Sequence, residues 1–445
     1  MQEPFRAYDV RGVVGDTLTP GLAKKIGART ATFLDASALV VGHDVRPSGK
    51  ELSEALIEGI QSVGVDVIDI GNVTTPTLYF AIPHLRAHGG IMVTASHNPP
   101  RYNGFKICDS HSSPIDAETG LETIAETLEE TKAAEKRGTY TEHNVNAAYT
   151  KHVLSFVDRE ALRERTVWMD GGNGAAGLIA SNVFNQTPCN QERLYLAPDG
   201  TFPNHEPNPM EPKNTVDLRS AIRSNGADAG FAWDGDADRF FLVDEKGAMV
   251  APDTLYAYIA DHYLKKGKGA LIQNALCGAA IQSVAKKHGV KNHVVQVGHG
   301  HMKRGMRKHD AVIGGEHSGH YYFQKNNYAD DGMIPALLVY EAMSKTKTPL
   351  SEQLKPYRSY SKIDETNYEF NNRDEVIQKI KQRFNDATIE EIDGVTIRFE
   401  DAAWLNVRKS NSEPLLRLNI EAPNQSRRDA LFEEVNAVLK EHGEV

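Results

Sequence analysis

The chain has few cysteines for its 445 residues. There are three, Cys108, Cys189 and Cys277, and they are odd in number and widely separated. This pattern excludes a disulfide framework and a structural zinc ribbon. We expect buried thiols instead. The composition, 40% hydrophobic and 25% charged residues, is ordinary for a soluble globular protein.

The sequence also lacks long apolar runs and an excess of positive charge. No run approaches the roughly 20 apolar residues that cross a bilayer, and the start, Met-Gln-Glu-Pro, lacks the features of a signal peptide. We therefore expect a cytoplasmic protein with no membrane partner. The net charge of -10 disfavours nucleic acid as a partner, although a few basic residues in a cleft could still hold a small anion.

The first part of the chain alternates between helical and strand-like segments, which predicts α/β layers around a largely parallel sheet. The alternation covers residues 19–107 and is followed by a polar segment, Asp116 to Lys136, that we expect to be a helix leading to a linker. The predicted helices are 20–34, 48–62 and one starting at Thr75, and the predicted strands are 38–44, 65–71 and 89–96.

The rest of the chain divides into three more units. Two of them alternate again and predict α/β domains, whereas the last has helices flanking strand-like runs that predict an α+β domain with an antiparallel sheet. A hinge is possible near Lys355 to Ser361. The predicted domains are residues 1–145, 146–250, 251–360 and 361–445.

Three aspartates, Asp234, Asp236 and Asp238, occupy alternate positions in the sequence DGDADR between two apolar segments. Carboxylates this close repel one another, so a cation is the simplest remedy, and an all-oxygen ligand set selects Mg²⁺ or Ca²⁺. Arg239 adds a positive charge, but it stands where the turn of an EF-hand calcium loop needs glycine, which excludes that motif. The alternative is a solvated acidic turn.

Two further loops carry chemically useful side chains. The histidines His299, His301, His317 and His320, with Glu316 among them, could bind a transition metal such as zinc or the hydroxyls of a sugar. The loop RKSNSEP offers Arg408 with Ser410, Asn411 and Ser412, which could hold a phosphate or form an ordinary polar turn.

Taken in order, the motifs FRAYDVRG, TASHNPPRYNGFK, DGDADR, GEHSGH and RKSNSEP resemble the α-D-phosphohexomutase superfamily, and most closely its bacterial phosphomannomutase/phosphoglucomutase branch. The similarity spans nearly the whole chain. It implies an α/β fold in which three similar mixed α/β sheet domains and a smaller α+β C-terminal domain surround a central cleft.

The resemblance also implies a role for each motif. Ser96 is expected to be a phosphoserine, with Mg²⁺ held beside it by the three aspartates and by Ser96 itself. The other residues expected to be catalytic are His97, Lys106, Arg239 and His299. Those expected to bind substrate are Tyr8, Arg11, Lys303, Glu316, Ser318, His320, Arg408, Ser410, Asn411, Ser412 and Arg417.

The expected reaction interconverts hexose 6-phosphate and hexose 1-phosphate, with mannose, glucose or both as the sugar. Ser96 would give its phosphoryl group to the sugar, and the resulting 1,6-bisphosphate, also the expected activator, would turn round and return the other phosphate. Lys106, His299 and His320 are the candidates for the acid and base.

One position departs from the family pattern. A basic residue is usual near Leu276, and its charge could come here from Lys303 or Arg304. Three alternatives remain: a magnesium-dependent phosphatase with an aspartyl nucleophile in DGDAD, a sugar-phosphate sensor without turnover, and a phosphoglucosamine mutase, which is disfavoured because that branch usually has glutamine in place of His317.

Overall fold

The computed structural model describes residues 3–358, 360–410 and 415–441. They form two compact units: unit 1 comprises the chain up to residue 250 together with residues 318–351, and unit 2 comprises residues 251–317 together with the chain from residue 352 onward. No helix in the described ranges is long and apolar enough to cross a membrane.

The elements follow the chain in this order: β1 (Val10–Val13), α1 (Pro20–Phe33), β2 (Ala38–His43), α2 (Gly49–Ser62), β3 (Asp66–Asn72), α3 (Thr75–His84), β4 (Gly89–Val93), β5 (Tyr102–Asp109), α4 (Glu122–Glu126), β6 (Tyr140–Glu142), α5 (Asn146–Leu154), β7 (Arg165–Asp170), α6 (Ala180–Phe184), β8 (Cys189–Leu194), α7 (Val216–Asn225), β9 (Ala229–Trp233), β10 (Phe240–Asp244), β11 (Met249–Val250), α8 (Pro252–Tyr263), β12 (Leu271–Asn274), α9 (Ala280–His288), β13 (Asn292–Val295), α10 (His299–Lys308), β14 (Ile313–Gly315), β15 (Tyr321–Phe323), α11 (Met333–Ser344), α12 (Leu350–Leu354), β16 (Ser361–Glu369), α13 (Arg373–Arg383), β17 (Thr388–Glu390), β18 (Val395–Arg398), β19 (Trp404–Lys409), β20 (Leu415–Ala422) and α14 (Gln425–Lys440).

Unit 1 contains two mixed sheets. The first has the strand order β1-β5-β4-β2-β3-β6, in which β4, β2, β3 and β6 are parallel and β5 runs antiparallel to both of its neighbours. The second has the order β11-β10-β9-β7-β8, with β9 and β10 joined as an antiparallel hairpin. Because β4 and β5 are also consecutive and antiparallel, each sheet presents one hairpin loop that carries functional side chains.

The helices of the first domain form where the sequence signals predict them. Thr19 precedes α1, and its hydroxyl accepts a hydrogen bond from the Leu22 amide at 3.2 Å, which caps the first turn. Proline follows at the first helical position, where its missing N–H costs nothing. Buried apolar residues of α1 and α2, such as Ile26 and Leu56, then join strand residues in one core.

Residues 318–351 belong to unit 1, although they follow α10 and β14 in the sequence. The Tyr149 hydroxyl donates to Asp331 Oδ2 at 2.8 Å, and the Trp233 indole N–H donates to the Gly332 carbonyl at 2.9 Å. These bonds join α5 and β9 to the segment that leads into α11. This helix is buried along its whole length.

Unit 2 contains a parallel sheet and an antiparallel one. Strands β13, β12 and β14 are parallel, with β12 in the centre. The C-terminal sheet has the order β16-β20-β19-β18-β17, and its neighbouring strands are antiparallel. The predicted class, α/β domains with a smaller α+β C-terminal domain, is confirmed, whereas the exact domain limits stay predictions.

Two local predictions were wrong. The polar segment Asp116 to Lys136 forms a single wide helical turn and then the five-residue α4, because Gly120 adopts φ 140 and interrupts the helix after Asp116 caps it. Beyond α4 few apolar side chains are available to bury a longer helix. The sequence also gave no sign of β16, a nine-residue strand that directly follows the predicted hinge.

Candidate active site

Ser96 lies in the loop that connects β4 to β5. It is 2% exposed, and its backbone has φ +50, a left-handed conformation that is unfavourable for a residue with a side chain. The Ser96 hydroxyl donates to Asp234 Oδ2 at 2.7 Å and lies 3.2 Å from His97 Nδ1. The serine loop (residues 94–101) and the acidic loop (residues 234–239), which the family resemblance implies lie side by side, therefore meet through this hydrogen bond.

The acidic loop joins β9 to β10, and all three of its aspartates are buried. Each offers a carboxylate oxygen, and these oxygens lie within 4.8 Å of one another. Gly235 permits the close approach to the serine loop, since a Cβ atom there would stand 2.3 Å from the Ser96 carbonyl oxygen. The apolar strands on either side fix the ends of the loop in the core, so it cannot turn its carboxylates outward to water.

These oxygens fit a hard divalent cation. Asp236 Oδ2 accepts hydrogen bonds from Thr75 Oγ1 at 2.6 Å and from Lys106 Nζ at 2.7 Å, while its Oδ1 is buried with no hydrogen-bond partner among the described residues. A buried carboxylate oxygen without a hydrogen-bond partner lowers the stability of the fold unless a cation binds to it. An all-oxygen donor set favours a hard cation over a transition metal.

Lys106, on β5, is the main cation of this cluster. Its ammonium donates to Asp236 Oδ2 and, at 2.5 Å, to Asp238 Oδ2. Burial alone would lower the pKa of Lys106, but the two carboxylates outweigh it and raise this pKa above its ordinary value. Burial and the neighbouring aspartates raise the pKa of Asp234 to about 8, whereas Lys106 and His320 hold the pKa of Asp238 well below its usual range despite burial.

His97 and Arg11 line the same loop. The positive charge of Arg239, together with burial and Arg11, lowers the pKa of His97 to about 2. A neutral His97 can donate one hydrogen bond and accept another, but it adds no positive charge. Arg11, on β1, donates to Asn98 Oδ1 at 2.7 Å and forms an ion pair with Asp9, while Tyr8 is half-buried just before β1.

Arg239 and His320 complete the surroundings of the acidic loop. Arg239 Nε lies 3.7 Å from Asp234 Oδ2, and its N–H donates to His320 Nε2 at 3.3 Å. His320 Nε2 is 3.4 Å from Asp238 Oδ1, and His320 Nδ1 is 2.9 Å from the Ser318 hydroxyl. The structure thus brings Ser96, the three aspartates, Lys106, Arg239, Ser318 and His320 together in unit 1.

The other part of the GEHSGH motif lies in unit 2. Glu316 is buried, and its Oε1 accepts hydrogen bonds from Asn274 Nδ2 at 3.1 Å and from the Gly298 amide at 3.3 Å. Burial, together with the positive charges of Lys362 and Arg408, lowers the pKa of His317 to about 4, although Glu316 opposes the shift. His317 is therefore neutral near pH 7.

Helix α10 carries two of the predicted residues, His299 at its first position and the buried Lys303 one turn later. Leu276 is buried in the turn after β12, and its amide donates to Asn274 Oδ1 at 3.2 Å, so the loop is ordered without a basic side chain. Of the four histidines considered for a transition metal, His320 belongs to a group of three side chains that could hold an ion, together with Asp238 and Asp330. No such group in the described ranges includes His299, His301 or His317.

The arginines of the C-terminal domain that are predicted to bind phosphate lie on two paired strands. Arg408 on β19 lies opposite Arg417 on β20. Glu365 bridges them: Arg408 Nη2 donates to Glu365 Oε2 at 2.7 Å, and Arg417 Nη1 donates to Oε1 at 3.0 Å. Arg417 Nη2 also donates to the Ser410 hydroxyl at 3.4 Å. The predicted Asn411 and Ser412 lie outside the described residues.

Sequence reasoning missed Glu365 and Lys362. Both lie on β16, the strand that was not predicted, and no motif surrounds them. Lys362 Nζ donates to Asp253 Oδ2 at 2.8 Å. Burial alone would lower the pKa of Lys362, but the carboxylates of Asp253 and Glu421 raise it. The positive charge of Lys362 also acts on His317. Lys362 therefore supplies unit 2 with a positive charge that Leu276 cannot supply.

Comparison with known proteins agrees with this arrangement. Four profiles of the phosphoglucomutase/phosphomannomutase family match in order: alpha/beta/alpha domain I over residues 2–135, domain II over 147–247, domain III over 251–360 and the C-terminal domain over 365–438. Together they cover most of the chain.

Individual relatives are similar over nearly their whole length. The chain is 38% identical over 425 residues to a protein of Xanthomonas campestris named phosphohexose mutases, covering 94% of each chain. It is 37% identical over 432 residues to a phosphomannomutase of Escherichia coli, again covering 94% of each. A crystal structure of a phosphoglucomutase/phosphomannomutase family protein from Burkholderia thailandensis superposes with a TM-score of 0.90 at 29% identity, covering 99% of this chain and 97% of that one. The chain therefore belongs to the phosphoglucomutase/phosphomannomutase family, in the bacterial branch of the α-D-phosphohexomutase superfamily, and is an enzyme.

Proposed function

We propose that this enzyme interconverts hexose 6-phosphate and hexose 1-phosphate, with mannose, glucose or both as the sugar, through a phosphoserine at position 96 and a hexose 1,6-bisphosphate. Family membership supports hexose phosphate mutase activity. The observation that carries the finer proposal is the 2.7 Å hydrogen bond from Ser96 Oγ to Asp234 Oδ2, which sets the hydroxyl against a buried cluster of carboxylates.

Each half-reaction exchanges one phosphorus–oxygen bond for another. In the first half, the bond from phosphorus to Ser96 Oγ breaks as a bond forms between phosphorus and the free hydroxyl oxygen of the sugar phosphate. The hydroxyl proton goes to a base, and the departing Ser96 oxygen takes up a proton. Of the three predicted candidates, His299 and His320 can serve as the base, whereas Asp236 and Asp238 keep Lys106 as an ammonium, which can only donate a proton. In the second half the bisphosphate, bound the other way round, returns its other phosphoryl group to Ser96.

A divalent cation held by Asp234, Asp236 and Asp238, with the Ser96 oxygen beside them, would neutralise negative charge on the transferring group. The chain's own residues supply the rest of the electrostatics. Lys106 and Arg239 surround the same carboxylates with positive charge, and His97 contacts the Ser96 hydroxyl. Burial of Ser96 limits the access of water to its phosphate ester.

In unit 2, we assign the binding of sugar hydroxyls to Glu316, and the binding of the phosphate that is not reacting to Arg408, Ser410, Asn411, Ser412 and Arg417. Lys303 is assigned a supporting positive charge. In unit 1, Ser318, His320, Arg11 and Tyr8 are assigned to the substrate. Two guanidiniums against one carboxylate leave the arginine pair with a surplus positive charge, which suits a phosphate.

The decisive experiment compares Ser96→Ala with Ser112→Ala. Ser112 is a matched control because it is also buried, also has a left-handed backbone with φ 58, and donates to the Tyr79 carbonyl instead of the acidic loop. Activity would be measured on mannose 1-phosphate and glucose 1-phosphate, with and without Mg²⁺ and glucose 1,6-bisphosphate, and phosphate on Ser96 would be located by mass spectrometry.

We expect Ser96→Ala to lower kcat by more than about 1,000-fold, as loss of a covalent nucleophile does, and Ser112→Ala to keep it. Only protein with Ser96 should acquire phosphate from the bisphosphate. Full turnover by Ser96→Ala would refute the phosphoserine. Release of inorganic phosphate that survives Ser96→Ala and disappears in Asp234→Asn would identify the phosphatase instead.

A further inference from the structure

Arg46 is a fully buried arginine that follows β2 and has no role in the reaction described above. Its side chain has no exposed surface, and it uses every N–H that a guanidinium possesses. The two N–H groups of Nη2 donate to the carbonyls of Ser96 at 2.8 Å and Asn98 at 2.6 Å. Those of Nη1 donate to the carbonyls of Pro99 at 2.8 Å and Tyr102 at 2.9 Å.

The last donor, Nε, binds Asp44 Oδ2 at 3.2 Å. That same oxygen accepts a hydrogen bond from the Thr94 hydroxyl at 2.7 Å, and the Thr94 hydroxyl oxygen in turn accepts one from the Ser96 amide at 2.9 Å. Both backbone polar groups of Ser96 are therefore tied to the Asp44–Arg46 pair: the carbonyl directly, and the amide through Thr94.

An aromatic side chain of the second domain also covers the guanidinium. The Phe202 ring lies with its centroid 5.1 Å from the Arg46 guanidinium carbon. Gly200 makes this approach possible, because a Cβ atom there would stand 2.2 Å from the Val45 carbonyl oxygen. The planar cation is thus fixed by hydrogen bonds at its edges and by an aromatic ring that it faces.

The loop needs such support. Ser96 has a left-handed backbone, which a serine keeps only when its surroundings hold it there. A lysine could not replace the guanidinium, because an ammonium has three donors and no fixed fork. At least one of the four carbonyls would be left without a partner, and two if one donor kept the bond to Asp44.

We propose that Arg46 is a positioning residue for phosphoryl transfer: it holds the backbone of the serine loop so that Ser96 Oγ stays directed at the acidic loop. The effect on turnover rests on the proposed function, but the effect on the loop does not. The two can therefore be measured separately.

The test compares Arg46→Lys with Arg165→Lys. Arg165 is a matched control because its guanidinium also binds loop carbonyls in unit 1, those of Met343 at 3.0 Å and of Thr346, without contacting the serine loop. Hydrogen exchange of the full-length protein without ligands would follow the amides of Asn98 and Tyr102, which bond within the loop. Steady-state assays on glucose 1-phosphate with Mg²⁺ and glucose 1,6-bisphosphate would give kcat and KM.

We expect Arg46→Lys to speed exchange at these amides by about 10-fold or more, and to lower kcat by about 100-fold as misplacement of a reacting group does, with KM changed by less than about threefold. Arg165→Lys should change none of these. Normal exchange and a normal kcat in Arg46→Lys would overturn the proposal. Faster exchange with a normal kcat would show that Arg46 holds the serine loop but that turnover does not depend on it, which would refute its role in phosphoryl transfer.

A second variant separates positioning from a general loss of folding. Arg46→Ala leaves a cavity of guanidinium shape, so we expect added guanidinium chloride at millimolar concentration to restore kcat by about 10-fold, whereas methylammonium chloride should not. If Arg46→Lys does not fold, Thr94→Val, which removes only the link to the Ser96 amide, should still speed exchange in the loop and lower kcat. Absence of rescue together with an unaffected Thr94→Val would refute the assignment.

Discussion

The acidic loop of unit 1 and the arginine pair of unit 2 have opposite charge imbalances. Around the acidic loop, three buried aspartates face the cations Lys106 and Arg239. In the C-terminal sheet, Arg408 and Arg417 share the single carboxylate of Glu365. Since a surplus of one sign is costly where water is largely excluded, we propose that each region binds a ligand of the other sign: a divalent cation in the first, a phosphate in the second. Substitutions that alter the charge of only one of these regions test the comparison.

Among substitutions that change the charge of these two regions, the largest effect is expected from Asp236→Asn, which removes the charge of the carboxylate whose Oδ1 has no hydrogen-bond partner among the described residues. We expect kcat to fall by about 1,000-fold and the Mg²⁺ concentration needed for half-maximal activity to rise, because electrostatic stabilisation by the cation is lost. Titration of activity with Mg²⁺ after treatment with a chelator measures both. Asp217→Asn is the control, since Asp217 pairs with the Tyr195 hydroxyl at an exposed position. Unchanged magnesium dependence would contradict the metal assignment.

The second largest effect is expected from Lys106→Met. Removal of one partner from a buried ion pair leaves uncompensated charge, so we expect a loss of about 3 kcal/mol in the free energy of unfolding. Because the acidic surplus grows, Mg²⁺ should offset part of this loss. Thermal unfolding with and without Mg²⁺ tests the point, together with an expected fall in kcat of about 100-fold. If Mg²⁺ stabilised the variant no more than the unmutated protein, the charge comparison would be wrong for unit 1.

Arg408→Lys tests the surplus of positive charge on the arginine pair of unit 2. Lysine keeps the charge but loses the planar fork, so we expect KM for the hexose phosphate to rise by about 10-fold while kcat stays within about threefold. Arg398→Lys is a suitable control, because Arg398 lies on the same sheet and pairs with Glu390 at 2.9 Å. A fall in kcat with no change in KM would place Arg408 in the chemical step and not in phosphate binding.

The smallest effect on activity is expected from Asp261→Asn, because Asp261 is a buried carboxylate whose charge is already balanced. Its oxygens accept hydrogen bonds from Lys287 at 2.9 Å, from His288 at 2.6 Å and from the Tyr357 hydroxyl at 2.8 Å. Burial alone would raise the pKa of Asp261, but these partners lower it to about 2. Activity at pH 7 should therefore be unchanged.

Stability should depend on this group below neutral pH. A depressed pKa in the folded state contributes stability that is complete above the unfolded pKa near 3.8 and is lost as pH falls toward 2. The contribution is about 2 kcal/mol. We expect Asp261→Asn to speed hydrogen exchange in α8 and α9 at pH 6, and this difference from the unmutated protein to shrink as the pH is lowered to 3. A difference independent of pH would refute the assignment to the Asp261 charge.

Much of the site was implied by the family resemblance, whose motifs each place several of its residues close together in the sequence. The aspartates alternate within one loop, and Ser96 and Lys106 lie in one strand-loop-strand segment. Glu365, Lys362 and Arg46 were missed because each acts on residues far along the chain: Glu365 meets Arg408, and Arg46 meets the carbonyls of the serine loop. Carbonyl groups belong to every residue, so no side-chain pattern marks the loop that a buried guanidinium will bind.

The sequence by itself determined the helices and strands of the α/β domains, because capping residues such as Thr19 and the period of the apolar residues act over a few positions. It also determined which loops carry charge. Only the tertiary structure decided that the Ser96 hydroxyl meets Asp234, that an arginine after β2 fixes the serine backbone, and that one glutamate holds two arginines. These contacts depend on how the sheets pack and on glycines that let backbones approach, and neither is written in the local pattern of residues.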